Sequence, residues 1–593
     1  NMPTTSSIRI DRGISVAMRD GTVLFADVYR PADERKYPVL LQRTPYNRQL
    51  YTHAPAAIDT LRAVARGYAV IIQDVRGRYD SEGTFNPFHQ EIDDGYDTVE
   101  WCAAQPWSDG KVGMYGGSYV GAVQWLAAIA RPPHLKCIVP MFTASDYYEG
   151  WTYQGGALQW GFLTSWGLPY LASEGLFRRK DDQSNFCELR QRLAGLIDNM
   201  RETFRTLPLR SLPLVAEFAP YILDWLDHPT RDEFWRAVSI EDRHGMLGIP
   251  ALNLGGWFDI FLGGTLRNFS GLRRGAATDE ARQGARLLVG PWVHVAHGSN
   301  MSGTADFGIG SSDNNTPLRT DINGEILRFC DRWLKGIDGG FDAEPPVKIF
   351  VMGENVWRTE NEWPPARTRY TSFYLHSGGD ANSIQGNGQL STEMPGSERP
   401  DVFLYDPNHP VPTNGGQMCC YGPALPAGVF DQTEIEKRRD VLVYRTPPLE
   451  QALEVTVPVI VELWASTSAP DTDFTAKLVD LCPCGCSTNL TDGIIRARYR
   501  AGTDKPVPIT PGETYSYRID LWSTSNLFLR GHRIGVEVSS SNFPRFDRNT
   551  NTGGVLGDEV DLMPAVQTIF HDAEHPSQLI LPVIPRAVTA PTL

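Results

Sequence analysis

Short apolar runs with almost no polar interruption recur through the first half of the chain. They lie at residues 38–41, 68–72, 137–140, 251–254 and 286–289. Because a strand that is apolar on both sides must be covered on both sides, these runs predict a parallel sheet with crossover helices. An alternating pattern precedes them, and its Asp20-Gly21 pair predicts the turn of a β-hairpin. The patterns together favour an α/β core.

The pattern changes twice farther along the chain. The first change is a stretch that reads mostly as helices and is rich in tryptophan, at Trp151, Trp160, Trp166, Trp225 and Trp235. It interrupts the strand–helix alternation, which predicts a helical lid over the active edge of the sheet. After it the alternation resumes, and then short β-rich runs punctuated by Pro and Gly predict a jelly-roll β-sandwich. The predicted organisation is an α/β-hydrolase core at 1–145 and 246–353, a lid at 146–245 and a jelly roll at 354–593.

Net charge and composition limit the classes of partner that the protein is expected to bind. The chain has 593 residues and a formal net charge of −15, without a cluster of Lys and Arg. This balance predicts no nucleic-acid partner, and the lack of about eighteen consecutive apolar residues predicts no membrane span. Residues 1–7 lack the basic and apolar segments of a secretion signal. Nine cysteines, an odd number, favour reduced thiols in the cytoplasm over a disulfide framework.

A glycine-flanked serine is the first candidate for chemistry. Residues 111–121 run from a strand pattern through Gly116, Gly117 and Ser118 to Gly121, and an alanine-rich helix pattern follows. This is the form of a nucleophile elbow, in which small neighbours let the strand and the helix pass closely. Gly121 comes one place later than the usual pattern has it. The alternative is an ordinary packing turn between a strand and a helix.

A serine nucleophile needs a base, and the base needs an acid to hold its tautomer. In α/β hydrolases these residues follow the serine in the order acid, then histidine, each just past a strand. Asp259 follows the run at 251–254, and His294 follows the run at 286–289. These residues are therefore the predicted partners of Ser118. His297 is the alternative base, and Asp74 is a weaker acid candidate because it precedes the serine.

Several motifs in this order resemble one family. Residues 116–121, 255–259 and 290–294 are similar to the three catalytic motifs of the cocaine esterase family of serine hydrolases, which includes X-Pro dipeptidyl peptidases and α-amino-acid ester hydrolases. Shorter matches at 27–31, 43–46, 73–78 and 539–544 extend the resemblance over nearly the whole chain. The resemblance implies a hydrolase core, a helical insertion and a C-terminal jelly roll. It also implies an oxyanion hole formed by the Tyr46 hydroxyl and the Tyr119 backbone N–H.

The resemblance also bears on the substrate. The α-amino-acid ester hydrolases carry acidic residues just after the triad aspartate, where this chain has Ile260, Phe261 and Leu262. By similarity, Trp151, Trp166 and Phe261 would line an acyl pocket, and Cys419 and Cys420 would close its far side. The cocaine esterase itself has large apolar residues at these two cysteine positions, so a wider pocket is expected.

The predicted function is therefore a cofactor-free serine carboxylesterase acting on small esters of neutral aromatic or aliphatic acids. Two alternatives stay open: an X-Pro dipeptidyl peptidase or amide or β-lactam acylase on the same scaffold, and a non-catalytic protein that binds through its jelly roll. An edge strand of the jelly roll offers a surface for a homodimer.

Three further signals are interpreted as structural. Cys482, Cys484 and Cys486 lack the paired spacing of a zinc site and are expected in a hairpin turn, so no metal is predicted. Residues 547–552 resemble the start of a calcium loop but lack its glycine. His571 and His575 are expected to be solvated.

Overall fold

The structure is a computed structural model that describes residues 7–50, 58–313 and 321–586. The prediction about a secretion signal falls almost wholly on residues 1–6, outside the described part. The chain begins with a β-hairpin and continues as alternating strands and helices: β1 (Ile8–Ala17), β2 (Val23–Pro31), β3 (Tyr37–Thr44), α1 (Thr60–Ala65), β4 (Ala69–Asp74), α2 (Glu91–Ala103), β5 (Ser108–Gly117), α3 (Tyr119–Ile129) and β6 (Leu135–Met141).

The tryptophan-rich stretch forms the predicted helical insertion. It contains a two-stranded ribbon and seven short helices: β7 (Tyr153–Gln154), β8 (Ala157–Leu158), α4 (Trp160–Trp166), α5 (Ser173–Arg178), α6 (Phe186–Asp198), α7 (Met200–Thr203), α8 (Val215–Phe218), α9 (Tyr221–Asp227) and α10 (Glu233–Arg236). All five of its tryptophans named above are at most 3% exposed. Their large apolar surfaces therefore form the core of the insertion.

The second part of the core returns to the same sheet. It comprises β9 (Leu252–Phe258), α11 (Leu262–Gly275), α12 (Asp279–Gly284), β10 (Arg286–Val293), β11 (Met301–Ser302), β12 (Ala305–Asp306), α13 (Ile322–Cys330), β13 (Val347–Val351) and β14 (Val356–Glu360). The ten-stranded sheet has the order β1-β2-β4-β3-β5-β6-β9-β10-β13-β14. Its centre from β4 to β13 is parallel, as the apolar runs predicted, and antiparallel strands flank it.

Burial explains why the central strands are apolar without interruption. Every residue of β3, β4 and β9 is buried, and so is every residue of helix α3, which packs on the sheet. Parallel strands covered by helices on both faces leave only their ends open. Polar residues at the carboxyl ends of β5, β9 and β10 therefore converge on one edge of the sheet.

The C-terminal part is an all-β domain. It contains β15 (Arg369–His376), β16 (Gln389–Ser391), β17 (Asp401–Tyr405), α14 (Thr433–Glu436), β18 (Leu442–Arg445), β19 (Leu453–Thr467), β20 (Asp473–Leu481), β21 (Ser487–Arg496), β22 (Tyr515–Phe528), β23 (Arg533–Ser539), β24 (Ala565–Phe570) and β25 (Gln578–Ile584). All of its strand pairs are antiparallel except β16 with β18.

The long strand β19 organises this domain. One of its edges pairs with β22, and the other pairs first with β25 and then with β24. The register shifts near Pro458, and Val457 has a φ of 97°, which marks a bulge. Because β19 is bulged, it can pair with three different strands. The strands of the domain therefore surround one core.

The structure corrects two expectations at this level. Strand β14 pairs with β13 in the core sheet, so the core continues to Glu360 rather than ending at 353 as the predicted boundary had it. His571 is 1% exposed rather than solvated, because β24 and β17 bring it against Asp401 and Glu398. His575 is half-buried beside Asp572.

Two of the segments interpreted as structural lie in loops between strands of the all-β domain. Residues 482–486 form the turn between β20 and β21. The loop after β23 is held by protein groups, since Asp547 accepts hydrogen bonds from Arg496 at 2.9 Å and Asn549 donates to Asp473 at 2.9 Å. None of the helices in the described part of the chain has the length and apolar character needed to cross a bilayer.

Candidate active site

Ser118 lies at a sharp turn between β5 and α3. Its φ of 62° and ψ of −129° are rare for a residue with a side chain, and its N–H donates to the Met141 carbonyl at 2.9 Å. A Cβ on Gly116 would collide with Val120, and one on Gly121 would lie 2.8 Å from the Thr143 side chain. The late glycine is therefore required by the close approach of helix α3 to the segment after β6.

Asp259 and His294 follow two neighbouring strands. Phe258 of β9 pairs with Val293 of β10, so the next residue of each strand reaches the same edge of the sheet. His294 Nδ1 lies 2.7 Å from Asp259 Oδ1, and both side chains are at most 8% exposed. With its proton on Nδ1 donated to the carboxylate, the imidazole carries its lone pair on Nε2. His294 and Ser118 line the same cavity, of about 610 Å³.

The structure separates His294 from the alternative base. His297 is buried against Phe142, with ring centroids 6.0 Å apart, and its nearest carboxylate is Asp313 at 3.9 Å. Burial lowers the pKa of His297 to about 4, which keeps this ring neutral. The structure thus pairs Asp259 with His294 and leaves His297 in the packing of the core.

The alternative acid, Asp74, has another partner. Its two carboxylate oxygens accept hydrogen bonds from the Arg48 backbone N–H at 2.7 Å and from the Arg48 guanidinium at 2.5 Å. Burial raises the pKa of Asp74 to about 6 despite this partner. Asp74 therefore belongs to a buried ion pair at the end of β4 rather than to the histidine.

The two expected oxyanion donors belong to residues near the serine, one in the cavity wall and one next to it in the chain. Tyr46 lines the cavity, and its hydroxyl accepts a hydrogen bond from Trp166 Nε1 at 2.9 Å, which orients it. Tyr119 is the first residue of helix α3, where backbone N–H groups point out of the helix. Its side chain is turned away and donates to Glu91 at 3.0 Å. Burial and the Glu91 charge raise the pKa of the Tyr119 hydroxyl well above its usual range.

The structure divides the predicted pocket residues into two groups. Trp166, Cys419 and Cys420 line the cavity. Trp151 and Phe261 are fully buried behind it and stack on each other, with ring centroids 4.1 Å apart and planes 6° apart. The Phe261 ring also meets the His294 ring edge-on at 5.2 Å. Neither aromatic is among the described residues that line the cavity. Both therefore support Trp166 and His294 from behind the cavity wall.

Several lining residues escaped the sequence analysis. They are Leu50, Tyr170, Val293, Val295, Gly422, Leu425 and Ala427, whereas Met418 belongs to the loop at 415–420 that the family resemblance placed at the far side of the pocket. Val293 and Val295 flank the histidine, so their place could have been inferred from it. Tyr170 lies in a π-helical turn of the insertion, and the sequence carries no signal for its position.

The far wall of the cavity is a loop of the all-β domain. At the base of this loop, Gly416 and Gly428 exchange backbone hydrogen bonds at 2.8 and 2.9 Å. Gln417 then fixes the loop to the core, donating to Thr491 at 2.9 Å and to the Trp257 carbonyl at 3.4 Å. The loop therefore presents residues 418–427 to Ser118 from a fixed base.

The cysteines differ from the expectation of reduced thiols. Cys419 forms a disulfide with Cys420, and Cys482 forms one with Cys484. In each pair the two cysteines are one or two residues apart in sequence. Neither disulfide therefore links distant parts of the chain, and a disulfide framework of that kind is what the odd cysteine count argued against. The cytoplasmic location loses the support of the thiol argument and stays a prediction.

Comparisons with known proteins agree on one family. The profile described as X-Pro dipeptidyl-peptidase (S15 family) matches residues 20–296, and that of the X-Pro dipeptidyl-peptidase C-terminal non-catalytic domain matches residues 339–580. Cocaine esterase of Rhodococcus sp. (strain MB1 Bresler) is 42% identical over 97% of this chain and 98% of its own.

Two solved structures are similar over nearly the whole chain. An aminopeptidase from the marine sediment archaeon Thaumarchaeota archaeon has 26% identity and a TM-score of 0.77, covering 99% of this chain and 98% of its own. An α-amino acid ester hydrolase has 25% identity and a TM-score of 0.77, covering 98% of both chains. The order of core, insertion and all-β domain is thus shared with these proteins.

Proposed function

We propose that this chain, which belongs to the S15 family of cocaine esterase-like serine hydrolases, is a carboxylesterase for small esters of neutral aromatic or aliphatic acids. One observation carries the proposal: His294 is held by Asp259 at 2.7 Å and shares an apolar-walled cavity with the elbow serine, Ser118. The 42% identical relative named cocaine esterase supports an ester as the substrate.

The proposed reaction proceeds in two steps through an acyl-enzyme. Ser118 Oγ attacks the ester carbonyl while His294 Nε2 takes its proton, and the imidazolium then protonates the leaving alcohol. In the second step His294 removes a proton from water, which attacks the acyl-serine. The bond between the acyl carbon and Ser118 Oγ then breaks, the imidazolium returns the proton to Oγ, and the carboxylic acid leaves. Asp259 keeps the proton on Nδ1 and stabilises the imidazolium in both steps.

The alkoxide formed in each step needs donors that are already in place. We assign this role to the Tyr46 hydroxyl, which lines the same cavity as Ser118, and to the Tyr119 backbone N–H, which follows Ser118 at the start of helix α3. Donors fixed before the reaction lower the barrier by about 3 kcal/mol each, because they need no rearrangement as charge develops.

The walls of the cavity favour a neutral acyl group. Among the described residues that line it, none carries a carboxylate that could hold a substrate ammonium. Ile260, Phe261 and Leu262, which follow the triad aspartate, are all fully buried and apolar. We assign acyl binding to Trp166, Cys419 and Cys420, with Trp151 and Phe261 fixing the shape of the wall from behind.

A small substrate panel tests this assignment. The enzyme should hydrolyse p-nitrophenyl acetate, butyrate, octanoate and a benzoate ester, all faster than an X-Pro anilide or an acyl amide. A strict requirement for benzoate would contradict the wide pocket, and faster cleavage of the anilide would favour the peptidase alternative. A fluorophosphonate probe should label the wild type and spare Ser118→Ala; an unlabelled wild type would favour the non-catalytic alternative.

We also propose a homodimer through the all-β domain. Strand β17 lies at one edge of its sheet, and Val402 and Leu404 on it are 48% and 56% exposed. An open edge with apolar side chains is suited to pair with a second copy. Sedimentation should show a dimer that Val402→Lys with Leu404→Lys converts to a monomer, and a monomeric wild type would refute it.

A further inference from the structure

Three cysteines share the tip of one exposed hairpin. Cys482, Cys484 and Cys486 occupy the turn between β20 and β21, and their sulfur atoms all lie within 4.8 Å of one another. Cys484 and Cys486 are exposed, and Cys482 is half-buried. None of the three lines the cavity that contains Ser118, so the proposed esterase mechanism does not use them.

The backbone of this turn is held by its own hydrogen bonds in addition to the disulfide. The strands on either side pair up to Leu481 and Ser487, and the Cys482 N–H donates to the Cys486 carbonyl at 3.0 Å. Gly485 closes the turn with a φ of 95°, a conformation that favours glycine, and donates to the Cys482 carbonyl at 3.0 Å. A turn fixed this way keeps its three side chains on one short segment in either oxidation state.

We propose that this hairpin is a redox-gated binding site for one thiophilic d¹⁰ cation, with Zn²⁺ as the expected ion. In the oxidised state Cys482 and Cys484 form a disulfide and Cys486 is a free thiol, so only one thiolate can be offered. A dithiol reductant supplies two electrons and two protons, the S–S bond breaks, and the reductant becomes a disulfide. The cation then displaces the three thiol protons to solvent and binds three thiolates.

The geometry suits such an ion. Zinc–thiolate bonds of about 2.3 Å in a tetrahedron place sulfurs about 3.8 Å apart. All three sulfurs lie within 4.8 Å of one another, so Cys486 is already near this spacing, and once the disulfide is reduced the sulfurs of Cys482 and Cys484 need to separate by about 2 Å. Thiolates select soft cations over Mg²⁺ or Ca²⁺, and water would complete the fourth position. The exposure of the tip gives the ion a direct path from solvent.

Cadmium titration of the full-length protein tests the site, because cadmium thiolates absorb in the near ultraviolet. The parent is the Cys419→Ser/Cys420→Ser variant, which removes the other reducible pair. After reduction with a phosphine and removal of the reductant under argon, we expect one Cd²⁺ per chain with a charge-transfer band, displaced by Zn²⁺. Without reduction, and in the additional variant Cys486→Ser, the affinity should fall at least about tenfold.

A second measurement avoids dependence on any variant. Bound Cd²⁺ should protect Cys486 of the reduced protein from alkylation, read by mass spectrometry, while the exposed lone thiol Cys187 reacts at an unchanged rate. Equal binding before and after reduction, unchanged affinity of the Cys486→Ser variant, or alkylation of Cys486 unaffected by Cd²⁺ would each overturn the proposal. Relative to the parent variant, ester hydrolysis should not change with the additional Cys486→Ser substitution or with bound Cd²⁺, which separates this test from that of the esterase.

Discussion

Two clusters in this molecule contain a serine, a histidine and a carboxylate, and they differ in how the histidine is bonded. In the core, His294 meets one carboxylate through Nδ1, that of Asp259. In the all-β domain, His571 meets two: Nδ1 lies 3.1 Å from Glu398 and Nε2 lies 2.8 Å from Asp401. The first arrangement leaves one ring nitrogen for a serine, and the second occupies both.

The bonding decides the charge of the second histidine. Burial opposes a charge on His571, but the hydrogen bond to Asp401 and the charges of Asp401 and Glu398 outweigh it and raise its pKa. Burial acts to raise the pKa of Asp401, but its hydrogen bonds with His571 and with the Tyr444 hydroxyl lower the pKa below its usual value. An imidazolium paired with carboxylates has no lone pair to accept a serine proton.

The serines differ as well. Ser118 stands at a strained turn in the wall of a cavity, whereas Ser377 donates its hydroxyl to Asp401 at 2.8 Å and accepts from the Gly379 N–H at 2.9 Å. The comparison teaches that the residue types alone do not make a nucleophile. A histidine with one ring nitrogen left open and a hydroxyl that lines a cavity with room for a substrate make the difference.

Replacing the two serines separates the clusters most strongly. Ser118→Ala should lower kcat for p-nitrophenyl butyrate roughly a million-fold, because the acyl-enzyme cannot form. Ser377→Ala should leave kcat within about twofold and cost only about 1 kcal/mol of stability through lost hydrogen bonds. Steady-state kinetics and thermal unfolding of both variants measure this. A folded Ser118→Ala enzyme that still turns over would break the comparison.

The two tyrosines next to these clusters give the next largest contrast. Tyr46→Phe should lower kcat by about 10²–10³ with little change in KM, because an oxyanion donor acts mainly in the transition state. Tyr444→Phe removes the hydroxyl that donates to Asp401 at 2.7 Å, and should lower the melting temperature while kcat stays constant. Equal kcat for Tyr46→Phe and the wild type would remove Tyr46 from the oxyanion hole.

The first cluster could be predicted from the sequence, and the second could not. Asp259 and His294 follow apolar runs, the chain order of α/β hydrolases selected them as acid and base, and parallel strands bring their carboxyl ends to one edge of the sheet. His571 depends on the pairing of β24 with β17, which are far apart in sequence. The alternation of a β-sandwich strand does not identify its partner, so the burial of this histidine left no local signal.

The same limit applies to the cavity. Trp166 and the cysteine pair were found through the family resemblance, but Tyr170 and Leu425 reach Ser118 only because an insertion and a loop from another domain fold over the core. Loop positions are set by tertiary contacts such as that of Gln417 with Thr491. Residue periodicity carries no information about such contacts.

His571→Ala tests whether the second cluster serves stability alone. The change leaves the buried Asp401 carboxylate without its cationic partner, which should cost about 3 kcal/mol and lower the melting temperature of the protein. Because His571 is remote from the proposed mechanism, kcat of the folded variant at 25 °C should match the wild type. A large fall in kcat without a loss of stability would assign the cluster a role in turnover.

The pH dependence of this effect sharpens the comparison further. A histidine whose folded pKa is raised above 6.5 stabilises fully below that value, and the contribution is lost as pH rises through the folded pKa. An aspartate lowered below 3.8 contributes above 3.8 and loses its effect as pH falls through its folded pKa. The pair therefore stabilises most between about 4 and 6.5.

The difference in melting temperature between wild type and His571→Ala should accordingly be largest near pH 5.5 and shrink by pH 9. Comparing the two proteins at each pH cancels the titrating groups that do not contact His571. A difference that stays constant from pH 5.5 to 9 would mean that His571 is neutral in the folded protein. The contrast between the two histidines would then rest on their hydrogen bonds rather than on a charge of His571.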